Sequence, residues 1–401
     1  MRILLCTDTY PPQLNGVSVV VAGMVAGLRA RGWDCTVVSP SYPSSLRDLL
    51  HGDHGGAQYT VPSIPCPGYP DIRLAWPSTR NMRRLIEQLR PDMVLSATEG
   101  MVGRAGSHAA RDLGLPLITS YHTDFSRYCD AYGLPWMRPF VSSWLTRFHA
   151  RADATLTPSH ASRRQLQELG IHHTRVWSGG VDIDQFHPRH YAATARYRFA
   201  LGHAFTFLYV GRLAPEKNLE LLLKAFAKVS RSRPGRVRLL IVGAGPCEAA
   251  LRAQAPDGVS LLGALDRRND LPSLYASAEA FLFASTTETL GLVTLEAMAS
   301  GLPVIAVPVG GVGDYLQDGR NGLAFDANDV DGCAAAMIRL CDDPSLNERL
   351  RAGARQTAER YGNKAELDRL DATMRDIIRA HGQPVRASGS LLLEHAAPDS
   401  R

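Results

Sequence analysis

At 401 residues the chain exceeds what one hydrophobic core comfortably organises, so two domains of ordinary size with a cleft between them are expected. An apolar share of 45% and a charged share of 21% exclude a disordered or fibrous chain, and no apolar run reaches membrane-spanning length. The formal charge of +5, with both signs interspersed, is too weak to point to nucleic acid and fits an anionic substrate or an anionic membrane surface.

Short apolar, β-rich runs alternate with longer helical patterns, the signature of βαβ units around a parallel sheet. The opening residues MRILLCTDTYPP run straight into a strand pattern without the features of a signal peptide. Strands are expected at 2–6, 34–39, 93–96, 117–120 and 154–158, with helices at 17–31, 79–89, 100–113 and 159–169. The pattern breaks at Ser178-Gly179-Gly180-Val181-Asp182 and stays polar through His190, which reads as a linker. A second series follows, with strands at 205–211, 237–243, 259–262, 280–283, 303–307 and 322–325, and helices at 218–230, 271–277, 291–300 and 330–340. A last helix is expected over 363–380 and a disordered tail over 383–401. The expected architecture is α/β: two Rossmann-like, doubly wound domains facing each other across a cleft, with ligands beyond the carboxyl ends of the strands. The first spans 1–185 and the second 186–360, with 361–382 a helix returning to the first. Seven scattered cysteines, with no paired C-x-x-C spacing, read as core residues in a reducing compartment, so the expected location is the cytoplasm.

Four segments sit where chemistry is expected. Tyr10-Pro11-Pro12-Gln13-Leu14-Asn15-Gly16-Val17 follows the first strand and opens a helix at Gly16, where backbone N–H groups can approach a phosphate; an ordinary strand-to-helix turn reads the same way. Gly211-Arg212-Leu213-Ala214-Pro215-Glu216-Lys217 puts two cations on one loop, with Arg212 suited to fork onto diphosphate oxygens and Lys217 to act as a point charge. Ser285 to Glu296 runs from a strand into a helix. Glu288 is read at the helix start and Glu296 two turns on, near the same face, so that two carboxylates hold hydroxyls of one polyhydroxylated ligand. A glutamate on so apolar a helix also demands a partner. His122, in Ser120-Tyr121-His122-Thr123-Asp124, is ordinarily a structural type of residue, but its place at a strand's carboxyl end favours a functional one.

Gly16, His122, Gly211-Arg212 with Lys217, and the Glu288 to Glu296 pair, in this order and spacing, resemble family 4 of the retaining glycosyltransferases with the GT-B fold, and the resemblance spans nearly the whole chain. It implies that Gly16 offers its amide to the donor diphosphate or shapes the acceptor pocket, and that Arg212 and Lys217 bind the diphosphate and stabilise the leaving group without a metal. It further implies that Glu288, with the amides of Thr289, Leu290 and Gly291, holds the transferred sugar, that Glu296 binds the ribose, and that His122 faces the reacting sugar. No cofactor and no metal are expected. The segments Tyr121 to Phe125 and Phe148 to Asp153 resemble GDP-mannose-dependent α-mannosyltransferases and also sulfoquinovosyltransferases, which implies a nucleotide diphosphate sugar as donor, GDP-mannose favoured, and a lipid-linked or glycan acceptor.

Other readings compete. Ile241 to Pro246 carries two glycines of a dinucleotide fingerprint, which keeps an NAD-dependent oxidoreductase in view, although Glu248 replaces the third glycine. Asp182-Ile183-Asp184 has a D-x-D form but lies in the linker, and His51, His54, His172 and His173 form no recognisable metal set. A carbohydrate-binding module would not need a diphosphate clamp; a sugar-nucleotide epimerase shares the architecture. Trp136, Phe140, Trp144 and Phe148 recur every four residues, either as core or as a stripe lying on a membrane or lining a lipid acceptor's path. The arginine-rich segment 73–90, with Trp76, is a second surface for anionic headgroups. Peripheral contact at the inner face of the plasma membrane is therefore an expectation too.

Overall fold

The computed structural model describes residues 1–13, 15–42, 58–66 and 69–381; the tail expected over 383–401, and His51 and His54, lie outside the described residues. The first half contributes β1 (Arg2–Cys6), β2 (Asp34–Pro40), β3 (Gln58–Val61), β4 (Ser63–Cys66), β5 (Tyr69–Ala75), β6 (Met93–Ser96), β7 (Leu117–Ser120), β8 (Ala154–Thr157) and β9 (Thr174–Val176). β4 and β5 pair antiparallel, and the other seven form one sheet in the order β3-β2-β1-β6-β7-β8-β9, parallel throughout. The second half contributes β10 (Phe205–Val210), β11 (Val237–Val242), β12 (Val259–Gly263), β13 (Ala280–Phe283), β14 (Val304–Ala306) and β15 (Gly322–Ala324), parallel in the order β12-β11-β10-β13-β14-β15.

Helices on both faces of each sheet make the central strands uniformly apolar rather than alternating. In β10, Phe207, Leu208 and Tyr209 are all fully buried. In both sheets the winding reverses beside the first strand: β1 lies between β2 and β6, and β10 between β11 and β13. The loops after β10 and β13 therefore part at their carboxyl ends and leave a crevice. The Arg212 and Ser285-to-Gly291 segments are those two loops.

The chain crosses between the sheets twice, side by side. Val181 N donates to Tyr361 O at 2.8 Å and Asn363 N to Val181 O at 2.9 Å. A Cβ at Gly180, where φ is +73°, would lie 2.4 Å from Asn363 Cα, so the close approach requires glycine. Helix Asn363–His381 then lies on the first sheet's helix Gly16–Arg29, with Leu367, Leu370 and Met374 buried in that core and Asp371 accepting from Trp33 Nε1 at 2.6 Å. Asp182 of the D-x-D run accepts from Asp184 N and Gln185 N at 3.1 and 2.9 Å, a turn within the first crossing.

The expected elements are present with small shifts at their ends, and further ones appear. β3 and β9 are short edge strands, and helix Pro344–Arg360 is polar nearly all round, burying chiefly Leu346, Leu350, Ala354 and Ala358. A narrow stripe interrupted by alanines carries little periodic signal.

Candidate active site

The loop after β10 is held by its neighbour after β11. Gly211 N donates to Val242 O and Leu213 N to Ala244 O, both at 3.0 Å. A Cβ at Gly243, whose φ is +138°, would fall 1.9 Å from Gly211 O, and one at Gly245 2.3 Å from Leu213 O. The two glycines read as part of a dinucleotide fingerprint thus have a packing reason: they admit the backbone that carries Arg212. On that backbone Lys217 Nζ forms an ion pair with Glu288, and Arg212 pairs with the buried Glu216. Ser285 Oγ lies 2.9 Å from Glu288 Oε1 and 3.2 Å from Glu216 O, tying the two loops together. Burial works to lower the Lys217 pKa, and the Glu288 carboxylate beside it, together with Tyr128 and Glu216, more than reverses this, so the ammonium is held above its ordinary range. Arg212 is raised likewise, burial opposing and Glu216 prevailing.

The geometry expected for Glu288 needs correction. The helix begins at Leu292 (Leu292–Ala299), capped by Gly291 at φ +82°, so Glu288 stands in the loop ahead of it and does not share a helix face with Glu296. A bonded glycine run explains the difference: Gly310 and Gly311 pack so tightly on this loop that Cβ atoms there would lie 2.3 Å from Glu288 O and Thr289 O, and Gly311 N donates to Glu288 O at 2.9 Å. Tyr315 OH donates to the carbonyls of Leu290 and Gly291 at 2.9 and 3.1 Å. The carbonyls of this loop are engaged, whereas the amides of Thr289, Leu290 and Gly291 donate to no acceptor among the described residues. Open amides ahead of a helix form a site for negative charge or hydroxyl oxygens. Glu296, 2% exposed, does have the partner its burial demands: Arg267 at 2.5 Å, with Tyr275 OH at 3.3 Å. Arg267 lies beyond β12 and no sequence spacing marked it.

His122 follows β7 and is half-buried. Its Nε2 lies 2.9 Å from Ser120 Oγ, and its carbonyl accepts from Thr289 Oγ1 across the cleft at 2.7 Å. Burial, and next the neighbouring His149, push its pKa down to about 4, so the ring is neutral at physiological pH. Further bonds join the two domains here: Arg127 Nη1 to Thr286 O at 2.6 Å, Tyr132 OH to Glu216 Oε2 at 3.2 Å, and His160 N to Asp314 Oδ2 at 2.5 Å. A cavity of about 460 Å³ lies between the domains, lined by Asp124, Arg127, Ser162, Gln165, Glu288 and Thr289 among others.

His122, Arg212, Lys217, Glu288 and Thr289 thus belong to one bonded neighbourhood. Gly16 is exposed, it opens helix Gly16–Arg29 behind the cap of Asn15, and a Cβ there would meet nothing within 4 Å. Asp314 and the Gly310-Gly311 turn were missed in the sequence, where only the paired glycines after a strand signalled them, and Arg127, close behind His122, was given no role. The aromatic stripe divides, with Trp136 and Phe140 65% and 70% exposed and Phe148 buried. In the arginine-rich segment Trp76 is 59% exposed. Among the described residues no helix is long and apolar enough to cross a membrane, and no group of His, Cys, Asp and Glu is placed to hold a metal ion.

Two Rossmann-like domains, with an ion pair joining the loops that flank the second switch point, are matched among known proteins by glycosyltransferases of the GT-B class. The chain belongs to glycosyltransferase family 4. Residues 14–185 match the family described as Glycosyltransferase Family 4, and residues 196–357 match Glycosyl transferases group 1. The chain is similar to a GDP-mannose-dependent alpha-mannosyltransferase of Mycobacterium tuberculosis, 34% identical over 82% of this chain and 85% of that protein. It is similar to sulfoquinovosyl transferase SQD2 of Arabidopsis thaliana, 31% identical over 77% of this chain and 61% of that one. Among solved structures, Anabaena Alr3699/HepE in complex with UDP shares the fold at a TM-score of 0.76, with 20% identity over 94% of this chain and all of that one.

Proposed function

We propose that the enzyme is a retaining α-glycosyltransferase that moves a hexose from a nucleotide diphosphate sugar, GDP-mannose favoured, to a lipid-linked or glycan acceptor without metal or other cofactor. The observation that carries this reading is the Lys217–Glu288 ion pair, which sets a cation for the diphosphate and a carboxylate for the sugar at one point of the cleft, next to the open amides of Thr289 to Gly291. In this reading residues 1–185 form the acceptor side, 186–360 bind the sugar nucleotide, and 361–382 brace the pair.

Arg212 and Lys217 hold the diphosphate and stabilise the charge that develops as the anomeric carbon–oxygen bond breaks. Glu288 with the amides of Thr289, Leu290 and Gly291 holds sugar hydroxyls, and Glu296 the ribose. Gly16, where space is open, lets the first domain's helix start approach the phosphates or the acceptor. The neutral His122 orients the sugar without opposing the positive charge of an oxocarbenium-like transition state. The acceptor hydroxyl attacks from the face the diphosphate leaves, and its proton passes to the departing phosphate oxygen. Closure of the domains excludes water and protects the donor. The exposed Trp136 and Phe140 form a surface for peripheral contact with an anionic membrane carrying a lipid acceptor.

The test is thermal stabilisation by GDP, UDP, ADP, GDP-mannose, UDP-glucose and NAD with and without chelator, followed by transfer with the best donor. GDP-mannose stabilisation and transfer that survive chelation support the reading; stabilisation by NAD alone, or activity that needs an added divalent ion, overturns it. A second reading, a UDP-sugar-dependent glycolipid synthase, is favoured by the structural likeness to a UDP-bound protein and by similarity to a sulfoquinovosyl transferase; the same panel separates the two.

A further inference from the structure

The cavity of about 460 Å³ between the domains has the volume of a small-ligand site, roughly 300–1,000 Å³, and the donor contacts proposed above reach only its edge. Glu288 and Thr289 form that edge. The rest comes from three helices of the first domain, Phe125–Ala131, Arg138–His149 and His160–Glu168, and from the turn after β14. The wall is charged, and its charges balance: Arg127, Arg138 and Arg164 line it together with Asp124, Glu168 and Asp314. Each arginine already has a carboxylate. Asp124 Oδ2 lies 3.3 Å from Arg127 Nε, Asp130 Oδ2 2.7 Å from Arg138 Nη2, and Asp314 Oδ1 3.9 Å from Arg164 Nη2. Neutral donors stand between the charges: Ser126 Oγ and the Gln165 side-chain NH2 donate to no acceptor among the described residues, while Gln165 Oε1 accepts from Tyr121 OH at 3.4 Å. Apart from glycines, Ala161 and Pro308 are the apolar residues of the lining.

Such a wall selects by hydrogen-bonding type. An acyl chain would strip water from arginines and carboxylates without replacing its hydrogen bonds. An anion would meet no arginine that lacks a carboxylate beside it. A hydroxyl both donates and accepts, so it pairs with carboxylates, which only accept, and with guanidinium groups, which only donate. Apolar surface lies outside the cavity: Trp136 and Phe140, two residues to either side of Arg138, are exposed. We propose that this cavity is the acceptor subsite and takes an uncharged saccharide, so that the hydroxyl receiving the hexose belongs to a neutral sugar and any lipid chain stays outside, against Trp136 and Phe140. The proposal rests on the reading of the cleft as a glycosyl-transfer site. The saccharide hydroxyl oxygen forms the new bond to the donor's anomeric carbon, the bond from that carbon to the diphosphate breaks with its electron pair on the diphosphate oxygen, and the hydroxyl proton passes to the departing phosphate. The products are a longer glycoside and the nucleoside diphosphate. A lipid-linked acceptor of this kind must be supplied by an earlier glycosyl transfer.

The test uses the full-length protein, the nucleotide sugar that stabilises it most, and soluble acceptors: octyl glycosides of glucose, galactose and mannose, octyl glucuronide, and dioctanoylglycerol. At least one neutral octyl glycoside is expected to accept the hexose with kcat/KM about tenfold or more above both the glucuronide and dioctanoylglycerol. A neutral glycoside that is not preferred over both, or transfer to none of the three neutral glycosides, overturns the proposal. Gln165→Leu removes a neutral donor from the wall and is expected to raise KM for the preferred glycoside about three- to tenfold, with the Kd of the nucleoside diphosphate unchanged; Ser126→Ala is expected to act in the same direction. An acceptor KM unmoved in both variants, or a nucleotide Kd that rises as much as KM, also overturns it. A wild-type protein that binds no nucleoside diphosphate instead removes the glycosyl-transfer reading, and this proposal falls with it.

Discussion

Replacing Lys217 by Met keeps the length of the side chain and removes its charge. Lys217 and Glu288 have side chains only 14% and 16% exposed, so the pair is shielded but not sealed. Breaking a fully buried pair costs about 3–5 kcal/mol; solvent access and the retained Ser285 contact to Glu288 reduce this to about 1–3 kcal/mol, a fall in Tm of several degrees. The folded-state pKa of Lys217 is raised above its ordinary value. The stabilisation is therefore fully present at neutral pH and is lost only as pH rises through that raised value. The catalytic loss is larger. A preorganised charge facing the leaving group is worth roughly 10²–10³ in kcat, about 3–4 kcal/mol. Steady-state kinetics with the donor found by the stabilisation panel, beside melting curves for both proteins, separate the two effects. A variant that melts lower but keeps kcat within about threefold of wild type would refute the assignment of Lys217 to the diphosphate and leave it a structural pair.

Gly243→Ala is expected to lower Tm and weaken donor binding, since its Cβ would fall 1.9 Å from Gly211 O and push the Arg212 loop outward; Gly16→Ala, with open space, is expected to keep its Tm, and a normal KM and kcat in it would remove Gly16 from the site. Asp314→Ala breaks the bond from His160 N across the domains, and small-angle scattering of the ligand-free protein is expected to show a larger radius of gyration; an unchanged radius refutes the role of Asp314 in closure. The His122 pKa is depressed from 6.5 to about 4 on folding, so its contribution to stability is present above 6.5 and is lost as pH falls through about 4. Melting curves across that window should flatten in His122→Gln, and an unchanged slope counts against the shift. Changing Trp136 and Phe140 together to Ser is expected to abolish sedimentation with anionic vesicles without lowering Tm, and undiminished sedimentation rules that surface out.

Much of this protein was legible in one dimension because a doubly wound fold repeats a simple local rule. Strands covered on both faces must be apolar throughout, so 205–211 and 280–283 declare themselves, and the fold places ligands just beyond them; Arg212, Lys217, Glu288 and His122 became candidates by that rule. What the sequence could not decide is pairing. Whether Glu288 began a helix or preceded it depended on the Gly310-Gly311 turn, far along the chain, seizing its carbonyl. The partner of Glu296 proved to be Arg267, brought beneath the helix by the strand order. Periodicity is a property of consecutive residues and survives in the sequence; the contacts that set charge, closure and titration join residues distant along the chain, and only the tertiary fold brings them together.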